Sequence, residues 1–455
     1  MMEDHSAHFM ETESIPRLLA RFAGPAIVGM LANALYNIVD RVFVGHVVGA
    51  DGIAAIALGF PCMLFFFAFA MLAGVGGASR LALQLGAKNV QGAEQALGNA
   101  MFLCLSAGTF FLVCGVLLVE PILRLSGASD ALLPTAREYL SVVLWGVLFS
   151  TLSYTGSCCI RACGSPAYAM GTQVVGALAN VALDAWFVLK LEMGVRGAAA
   201  ATVISQVLAA LWVAVYFLTP WARLRLNLRA LTPHWKTLRR IAAVGTPPFL
   251  MDMNFVLVLG LVNAAASKYG GNLAVSATGI FMSLDSLLFM PAIAVGEGML
   301  PIVGYNYGAR RLDRVRETIK WTLGITSIFY GISFLTVQTC AEFFVRLFNR
   351  SDEAFIALTA RALRISYLAA PAAGVAIAAN STLEGLGRAR DALALSFARF
   401  FLFLLLPLFI LPRLWGLYGA WSCFPLADAA GSAVSLLYLH RVMKEMNASQ
   451  RDHPS

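Results

Sequence analysis

Charged residues are scarce in this chain: they make up 13% of its 455 residues, whereas hydrophobic residues make up 59%. A soluble domain carries about twice that share of charge. A membrane-spanning helix needs about 20 mostly apolar residues, and the hydrophobic residues are numerous enough for roughly twelve such helices. This composition excludes a soluble enzyme, a disordered protein and a disulfide-stabilised scaffold. The apolar runs are also too long for the short alternating strands of a membrane β-barrel.

The sequence also lacks the usual motifs of catalysis and of nucleotide use. No histidine falls deep in a predicted span, since His46 lies in a loop and His440 ends the last helix. There is no HExxH motif and no Gly-rich phosphate loop, and the eight cysteines show no zinc-type spacing. We therefore expect no enzyme activity, no catalytic residues, no cofactor and no drive by ATP. The net charge of +8 is expected to lie in cytoplasmic loops, so nucleic acid is not a predicted partner.

Twelve apolar runs predict twelve transmembrane helices, which we number as spans 1 to 12. Their approximate ranges are 17–43, 52–82, 93–118, 134–160, 165–190, 194–218, 236–266, 272–304, 313–338, 355–383, 388–411 and 416–440. The longest polar break, 223–235, is rich in arginine and is interpreted as a cytoplasmic linker. It would join a six-helix lobe at 1–222 to a second lobe and tail at 236–455. The predicted fold is an all-α polytopic membrane protein with two pseudo-symmetric six-helix lobes around a central cavity.

The basic residues predict the orientation in the membrane. If the N-terminus is cytoplasmic, most of the 33 lysines and arginines fall on the inner side, including the linker and the cluster between Arg310 and Arg316. An excess of positive charge marks cytoplasmic loops. We therefore predict a multi-pass protein of the cell (inner) membrane, embedded in the lipid bilayer as a monomer, with both termini in the cytoplasm.

The two halves resemble each other at a fixed offset of 222 residues. Pro25 corresponds to Pro247, Gly86-Ala87 to Gly308-Ala309, and Gly194 to Gly416. An offset that recurs in separate segments indicates an internal repeat. Because each half has an even number of spans, both halves enter the membrane from the same side. Two parallel repeats facing each other are an architecture for alternating access.

Three spans of the first half carry polar stripes at helical spacing. They are Asn33, Asn37 and Asp40 in span 1, Gln173, Asn180 and Asp184 in span 5, and Thr202 with Gln206 in span 6. Residues three, four, seven and eleven apart lie on one face of a helix. Because unsatisfied polar groups are costly inside hydrocarbon, the three stripes should face one another.

The carboxylates in these stripes predict a site for a small cation. Asp40, Asp184, Asn180, Thr202 and Asn37 would offer hard oxygen ligands of the kind that suits Na⁺. Two close carboxylates can also share a proton, because two adjacent negative charges repel. The coupling ion could therefore be Na⁺ or H⁺. Hydrogen bonding between helices is the simpler interpretation for amides such as Gln173 or Gln206, but two acids are a poor choice for that purpose.

The second half does not repeat this set, since the offset sends Asp40 to Val262 and Asp184 to Leu406. It has other acids in its spans instead, namely Asp252, Asp285, Glu297, Glu384 and Asp428. Asp252 and Asp428, together with Asn33, Gln173 and Gln206 of the first half, are predicted to line a substrate cavity. Glu297 and Glu384 are interpreted as structural, with Arg310 or Arg388 as partners.

Pro25 lies inside span 1, eight residues before Asn33. Proline removes a helix hydrogen bond and permits a kink. A kink that changes as the cation site fills would couple ion binding to shape, so Pro25 is predicted to be a conformational residue. A fixed kink without switching is the alternative.

Two segments resemble a known family. NALYNIVD at residues 33–40 resembles span 1 of MATE (multidrug and toxic compound extrusion) transporters, and GEGMLPIVGYNYGA at 296–309, with its first-half echo GVGGAS at 74–79, resembles their span 8. The resemblance covers nearly the whole chain and is closest to the DinF-like and MepA-like prokaryotic branch. It implies export of small-molecule drugs, mainly organic cations and amphipathic compounds, driven by entry of sodium ions or protons.

The resemblance also implies a ligand set, which falls on Asp40, Asn180, Asp184 and Thr202. The sequence departs from the family at Glu297 and Leu300, where glutamine is frequent. The second-lobe acids of the NorM-like branch are replaced by Phe255 and Ala373. A lipid-linked oligosaccharide or lipid flippase of the same wider superfamily is the alternative function. It would favour a basic cavity, whereas Arg399 is the one basic residue deep in a predicted span.

Overall fold

The computed structural model describes residues 5–48, 50–126, 128–219, 222–225, 228–346 and 352–452. Within these residues the chain is helical apart from turns and connections, and it contains no strand. Ten described helices are long and apolar enough to cross a membrane, and the bent pair Glu353–Ser366 and Ala370–Gly385 gives an eleventh. The prediction of an all-helical polytopic membrane protein is confirmed.

The first half follows the predicted spans. A short helix, His5–Thr12, precedes them. Spans 1, 2, 3 and 6 are the helices Ile15–Val47, Ala50–Gly86, Val90–Leu117 and Gly194–Leu218. Span 4 contains Leu133–Val143, a 3-10 turn at Leu144–Gly146, and Val147–Ala162. Span 5 is Pro166–Asp184 and continues as a π-helix, Ala185–Lys190. The short helix Val119–Leu125 lies between spans 3 and 4.

The second half contains longer helical stretches that are broken at glycines. Spans 7 and 8 lie in Trp235–Gly308, which is interrupted by non-helical backbone at Gly271. Span 9 is Leu312–Arg346, and span 10 is the pair Glu353–Ser366 and Ala370–Gly385, bent by 48°. Span 11 begins as Ala389–Phe397 and continues as the π-helix Ala398–Leu405. The helix Leu406–Asp452 contains span 12 and is interrupted at Gly416. The breaks at Gly271 and Gly416 coincide with the predicted boundaries between spans 7 and 8 and between spans 11 and 12.

The two halves share unusual backbone conformations at equivalent positions. Lys88 and Arg310, which follow spans 2 and 8, have φ angles of 56° and 60°. Gly194 and Gly416, which open spans 6 and 12, have φ angles of 59° and 57°. Both pairs are 222 residues apart. Because positive φ is unfavourable for residues with a side chain, its recurrence at Lys88 and Arg310 shows that both halves make the same turn.

The described chain forms two compact units. Unit 1 consists of Met1–Asp252 with Gly304–Arg310, and unit 2 of Met253–Val303 with Arg311–Ser455. The start of span 7 and the end of span 8 therefore belong with the first six spans. The lobe boundaries at 1–222 and 236–455, and the central cavity, stay predictions.

Glycines explain why these parts of spans 7 and 8 join unit 1. A Cβ added at Gly86 of span 2 would collide with the carbonyl oxygen of Tyr305, and one at Gly308 would collide with that of Leu83. The same holds for Gly245 of span 7 against Leu72. Only residues without a side chain allow backbones to approach this closely. The repeated pair Gly86 and Gly308 thus marks a helix crossing.

The linker is fixed to span 3 by a buried asparagine. Asn99 is fully buried, and its carbonyl oxygen accepts a hydrogen bond from the backbone N–H of His234 at 2.8 Å. Its amide nitrogen lies within 3.5 Å of the carbonyl oxygen of Ala230 and 3.4 Å of that of Thr232. The end of the linker, from Ala230 to His234, is therefore held against span 3.

Candidate functional site

The candidate site lies in unit 1, where spans 1, 5 and 6 pack together. Span 5 begins with proline at its first turn, a position where the missing N–H costs no hydrogen bond. A Cβ at Gly29 of span 1 would collide with the side-chain oxygen of Gln173, so spans 1 and 5 approach closely there. Spans 5 and 6 are joined by reciprocal hydrogen bonds between Tyr168 and Trp212, at 3.0 and 3.2 Å. These contacts fix span 5 against spans 1 and 6.

Asp40 and Asp184 meet at this packing site. The carboxyl group of Asp184 lies close enough to that of Asp40 for a hydrogen bond between them, and for electrostatic repulsion when both are ionised. Asp184 is completely buried, and Asp40 is 8% exposed. No N–H or hydroxyl group among the described residues donates to either oxygen of Asp184. Two buried carboxyl groups in this arrangement need a proton or a metal cation between them.

Asn180 and Thr202 supply further oxygen atoms. Asn180 is one turn before Asp184 on span 5 and is 1% exposed. Its amide nitrogen lies 3.5 Å from the hydroxyl oxygen of Thr202, which is a weak hydrogen bond. Its carbonyl oxygen is buried and meets no donor among the described residues. Both residues therefore present oxygen atoms of the kind that a small hard cation uses.

The small number of carboxylates at the candidate site limits which ions it could bind. In the described part of the chain, no group of three or more His, Cys, Asp or Glu side chains is placed so that it could hold a metal ion. The two aspartates and the neutral oxygens of Asn180 and Thr202 form a low-charge oxygen set. Such a set suits a monovalent ion or a proton better than a tightly held transition metal.

The remaining polar residues of the stripes occupy different surroundings. Gln206 faces span 4, where a Cβ at Gly146 would collide with its side-chain oxygen. Gln173 packs on Gly29, and Asn33 is partly buried in span 1. The side chain of Asn37 lies outside the described part of the structure. The structure thus brings Asp40 together with Asp184 and Asn180 together with Thr202, while it directs Gln206 toward another helix.

Pro25 lies within a continuous helix. Span 1 runs from Ile15 to Val47 through this proline. A small cavity of about 10 Å³ adjoins it, lined in part by Gln173 and Arg161. The helix thus continues through the proline, and beside it there is space for about one water molecule.

The acids of the second half have partners that the sequence did not identify. In unit 2, Arg399 donates from Nη2 to Oδ1 of Asp428 at 2.7 Å. Asp285 lies close to this pair, beside the hydroxyl of Tyr367. From the sequence, Arg399 is recognisable only as a basic residue within a span. Its partner is 29 positions away on another helix, so no local pattern in the sequence identifies the pair.

The other predicted acids are placed as follows. Asp252 is partly buried at the boundary of unit 1. Glu297 and Glu384 are close enough for their charges to interact. Arg388, an expected partner of Glu297 or Glu384, forms ion pairs with Glu445 and, at 3.7 Å, with Asp391. Arg388 lies at the start of span 11. Glu445 lies near the end of the helix Leu406–Asp452, which extends beyond span 12.

Comparison with known proteins identifies the family of this chain and solved structures of the same fold. The MatE family model matches the chain twice, at residues 25–186 and 247–409. Multidrug export protein MepA of Staphylococcus haemolyticus is 26% identical over 422 residues, which cover 92% of each chain. A crystal structure of MATE in the bent conformation has a TM-score of 0.92 at 22% identity and covers 98% of this chain and 99% of its own.

A further solved structure has the same fold. A transporter of the MOP superfamily from Pyrococcus furiosus has a TM-score of 0.90 at 23% identity, over 96% of this chain and 98% of its own. Its report states that reverse polarity of the binding pocket suggests a different function. At these identities the structural likeness establishes the fold alone.

The observations define an all-helical, multi-pass membrane protein built from two repeated halves. The two matches begin 222 residues apart, which is the offset found in the sequence. The chain belongs to the MatE family, and the predicted resemblance to MepA-like MATE transporters is confirmed.

Proposed function

We propose that this protein is a secondary active multidrug efflux transporter of the cell membrane. It exports organic cations and amphipathic drugs in exchange for Na⁺ or H⁺ by alternating access. The export function is supported by membership of the MatE family and by a relative named as a multidrug export protein. The observation that carries ion coupling is the buried carboxyl pair Asp40–Asp184, with Asn180 and Thr202 beside it.

The physical argument for ion exchange rests on the cost of leaving this pair empty. Two ionised carboxylates buried side by side repel each other and have lost their hydration. Binding one Na⁺ or one proton relieves both penalties, so the ion and the packing of spans 1, 5 and 6 depend on each other. Asp184 is on the turn just before the π-helix Ala185–Lys190. Wide turns of this kind occur frequently at functional sites.

The remaining site residues have supporting roles in this proposal. Asn33, Gln173, Gln206, Asp252 and Asp428 line the path of the substrate, and Asn37 adds an oxygen to the cation site. Pro25 lets span 1 change its bend when the ion binds. Both termini are cytoplasmic, and the protein works as a monomer in the lipid bilayer without a cofactor. Its chemistry is transport rather than catalysis.

A flippase for lipid-linked oligosaccharides is the competing function. Its anionic substrate would require a basic cavity. Arg399 lies within span 11 of unit 2, and its charge is compensated by Asp428 at 2.7 Å. Drug export therefore accounts better for the charges than lipid flipping does.

Ethidium efflux from vesicles with an imposed gradient tests this proposal. Vesicles containing the protein are loaded with ethidium and given either an inward sodium gradient at constant pH or an inward proton gradient without sodium. One of the two gradients should accelerate efflux, and collapsing that gradient with an ionophore should stop it. Efflux that ignores both gradients would refute ion exchange.

A further inference from the structure

Unit 2 contains a cavity of about 160 Å³ that differs chemically from the cation site of unit 1. Aromatic rings form much of its wall. Phe281 packs edge-to-face against Phe424 at 5.1 Å between ring centroids, and Phe289 contacts Tyr367 at 6.2 Å. An apolar cavity of about 150 Å³ holds a benzene ring in another protein. The cavity therefore has room for one ring or for a small substituted ammonium group.

Three charged side chains also line this cavity: Asp285, Arg399 and Asp428. Arg399 and Asp428 form the 2.7 Å ion pair, and no basic side chain in the described part of the chain forms an ion pair with Asp285. With all three groups ionised, their charges sum to −1. Aromatic walls around a negative centre are the chemistry by which proteins recognise organic cations.

The local structure holds the ion pair in place. Arg399 is the second residue of the π-helix Ala398–Leu405. Gly431, one turn after Asp428 on span 12, leaves room for the Arg399 stem, because a Cβ there would lie 3.1 Å from its Cγ. Burying an ion pair gains little stability over apolar packing. Its presence beside a cavity therefore needs a reason other than stability.

A second polar group points to a ligand. Ser366 lines the cavity and is 4% exposed, and its hydroxyl has no hydrogen-bond partner among the described residues. Buried hydroxyls normally have a partner. A ligand in the cavity would provide one.

We propose that this cavity binds the cationic group of a compound with a single positive charge, and that Arg399 sets this preference by reducing the negative charge of the site from −2 to −1. The inference deepens the proposed export function, on which its physiological meaning rests, by assigning the substrate a charge class. A monocation neutralises the cavity, a dication leaves it at +1, and an anion takes it to −2. Without Arg399 the cavity would be matched to a dication.

Binding of two matched small amines tests the inference. Benzylamine carries one charge at pH 8 and p-xylylenediamine carries two, and both have the ring that the cavity can hold. Their affinities are measured by titration calorimetry on the full chain in lipid nanodiscs, with uncharged benzyl alcohol as reference. The wild-type protein should bind benzylamine at least about tenfold more tightly than either of the others, because uncompensated charge is strongly disfavoured in a protein interior.

Three variants change the charge of the cavity in known steps. Asp285→Asn brings the sum to 0 with the ion pair intact, and it should weaken benzylamine binding at least about tenfold. Arg399→Met brings it to −2 and should reverse the preference in favour of p-xylylenediamine. The double variant Arg399→Met with Asp428→Asn returns it to −1 and should restore the preference for benzylamine. It also removes both partners of the ion pair together and so creates no new unpaired charge, which keeps it informative if the single variant does not fold.

The outcomes separate this inference from the proposed function. Wild-type benzylamine affinity in Asp285→Asn, or a double variant without the monocation preference, would overturn the charge assignment. Asp130→Asn serves as the control, since it removes a carboxylate that is 89% exposed and paired with Arg124, and it should change neither affinity. Gradient-independent ethidium efflux with the binding pattern intact would refute ion exchange and leave this inference standing.

Discussion

Replacing Asp184 by asparagine is the sharpest test of the cation site. The change keeps the shape of the side chain and removes one of the two negative charges at the site. Two charges about 4 Å apart interact by roughly 4 kcal/mol at an effective dielectric constant of 20. Because Asp184 is completely buried, water screens this interaction little. The affinity for the coupling ion should therefore fall by up to about a thousandfold.

The assay combines ion binding with transport. Binding of the coupling ion is measured on purified protein, and ethidium efflux is measured in vesicles under the gradient that drives the wild type. Asp184→Asn should bind the ion only at much higher concentration, and its gradient-driven efflux should drop to the level of empty vesicles. Asp130→Asn, which removes an exposed carboxylate instead, should behave as wild type. Normal ion affinity and normal efflux in Asp184→Asn would show that the carboxyl pair is not the coupling site.

Three further changes follow from single contacts. Thr202→Val keeps the side-chain volume but removes the hydroxyl next to Asn180. The affinity for the coupling ion should fall by about tenfold, or ~1.4 kcal/mol. An unchanged affinity in an ion-binding titration would exclude Thr202 as a ligand. Gly86→Ala places a Cβ against the backbone of span 8 and should lower the free energy of unfolding by ~1–3 kcal/mol, seen as a lower Tm. Gly324→Ala is its control, since nothing lies within 4 Å of that position, and equal Tm values for the two would contradict the packing argument. Asn99→Ala removes the acceptor of the partly buried hydrogen bond from the backbone N–H of His234. It should cost ~0.5–1.5 kcal/mol, detectable as faster proteolysis at the linker. Wild-type protease resistance would show that the linker is held elsewhere.

The sequence predicts the fold well because the membrane imposes a simple rule. Each span must be apolar over about 20 residues, and polar breaks mark its ends. The same rule makes Asp40, Asn180 and Asp184 conspicuous, since a polar residue in such a run is easily seen. Helical spacing then places Asn180 and Asp184 on one face without knowledge of any other helix.

Contacts between distant helices are what the sequence could not provide. Thr202 and Gln206 are one turn apart on span 6, yet Thr202 lies beside Asn180 while Gln206 packs against Gly146. That difference depends on how the helix is rotated against its neighbours. The ion pair of Arg399 with Asp428 likewise requires the path of span 12. Arg388, an expected partner of Glu297 or Glu384, pairs with Glu445 and Asp391, and Glu445 is 57 positions away on another helix.

The π-helices in spans 5 and 11 determine how the residues before and after them are rotated about the helix axis relative to each other. Each residue of a regular α-helix turns the chain by about 100°, and a wide turn accommodates one residue more than a regular turn does. Asp184 stands immediately before the segment in span 5, and Arg399 stands at the start of the one in span 11. Removing a single residue from either segment would rotate everything beyond it by about 100°. In both halves, therefore, the number of residues in a π-helix determines where a charged side chain points relative to the rest of its helix.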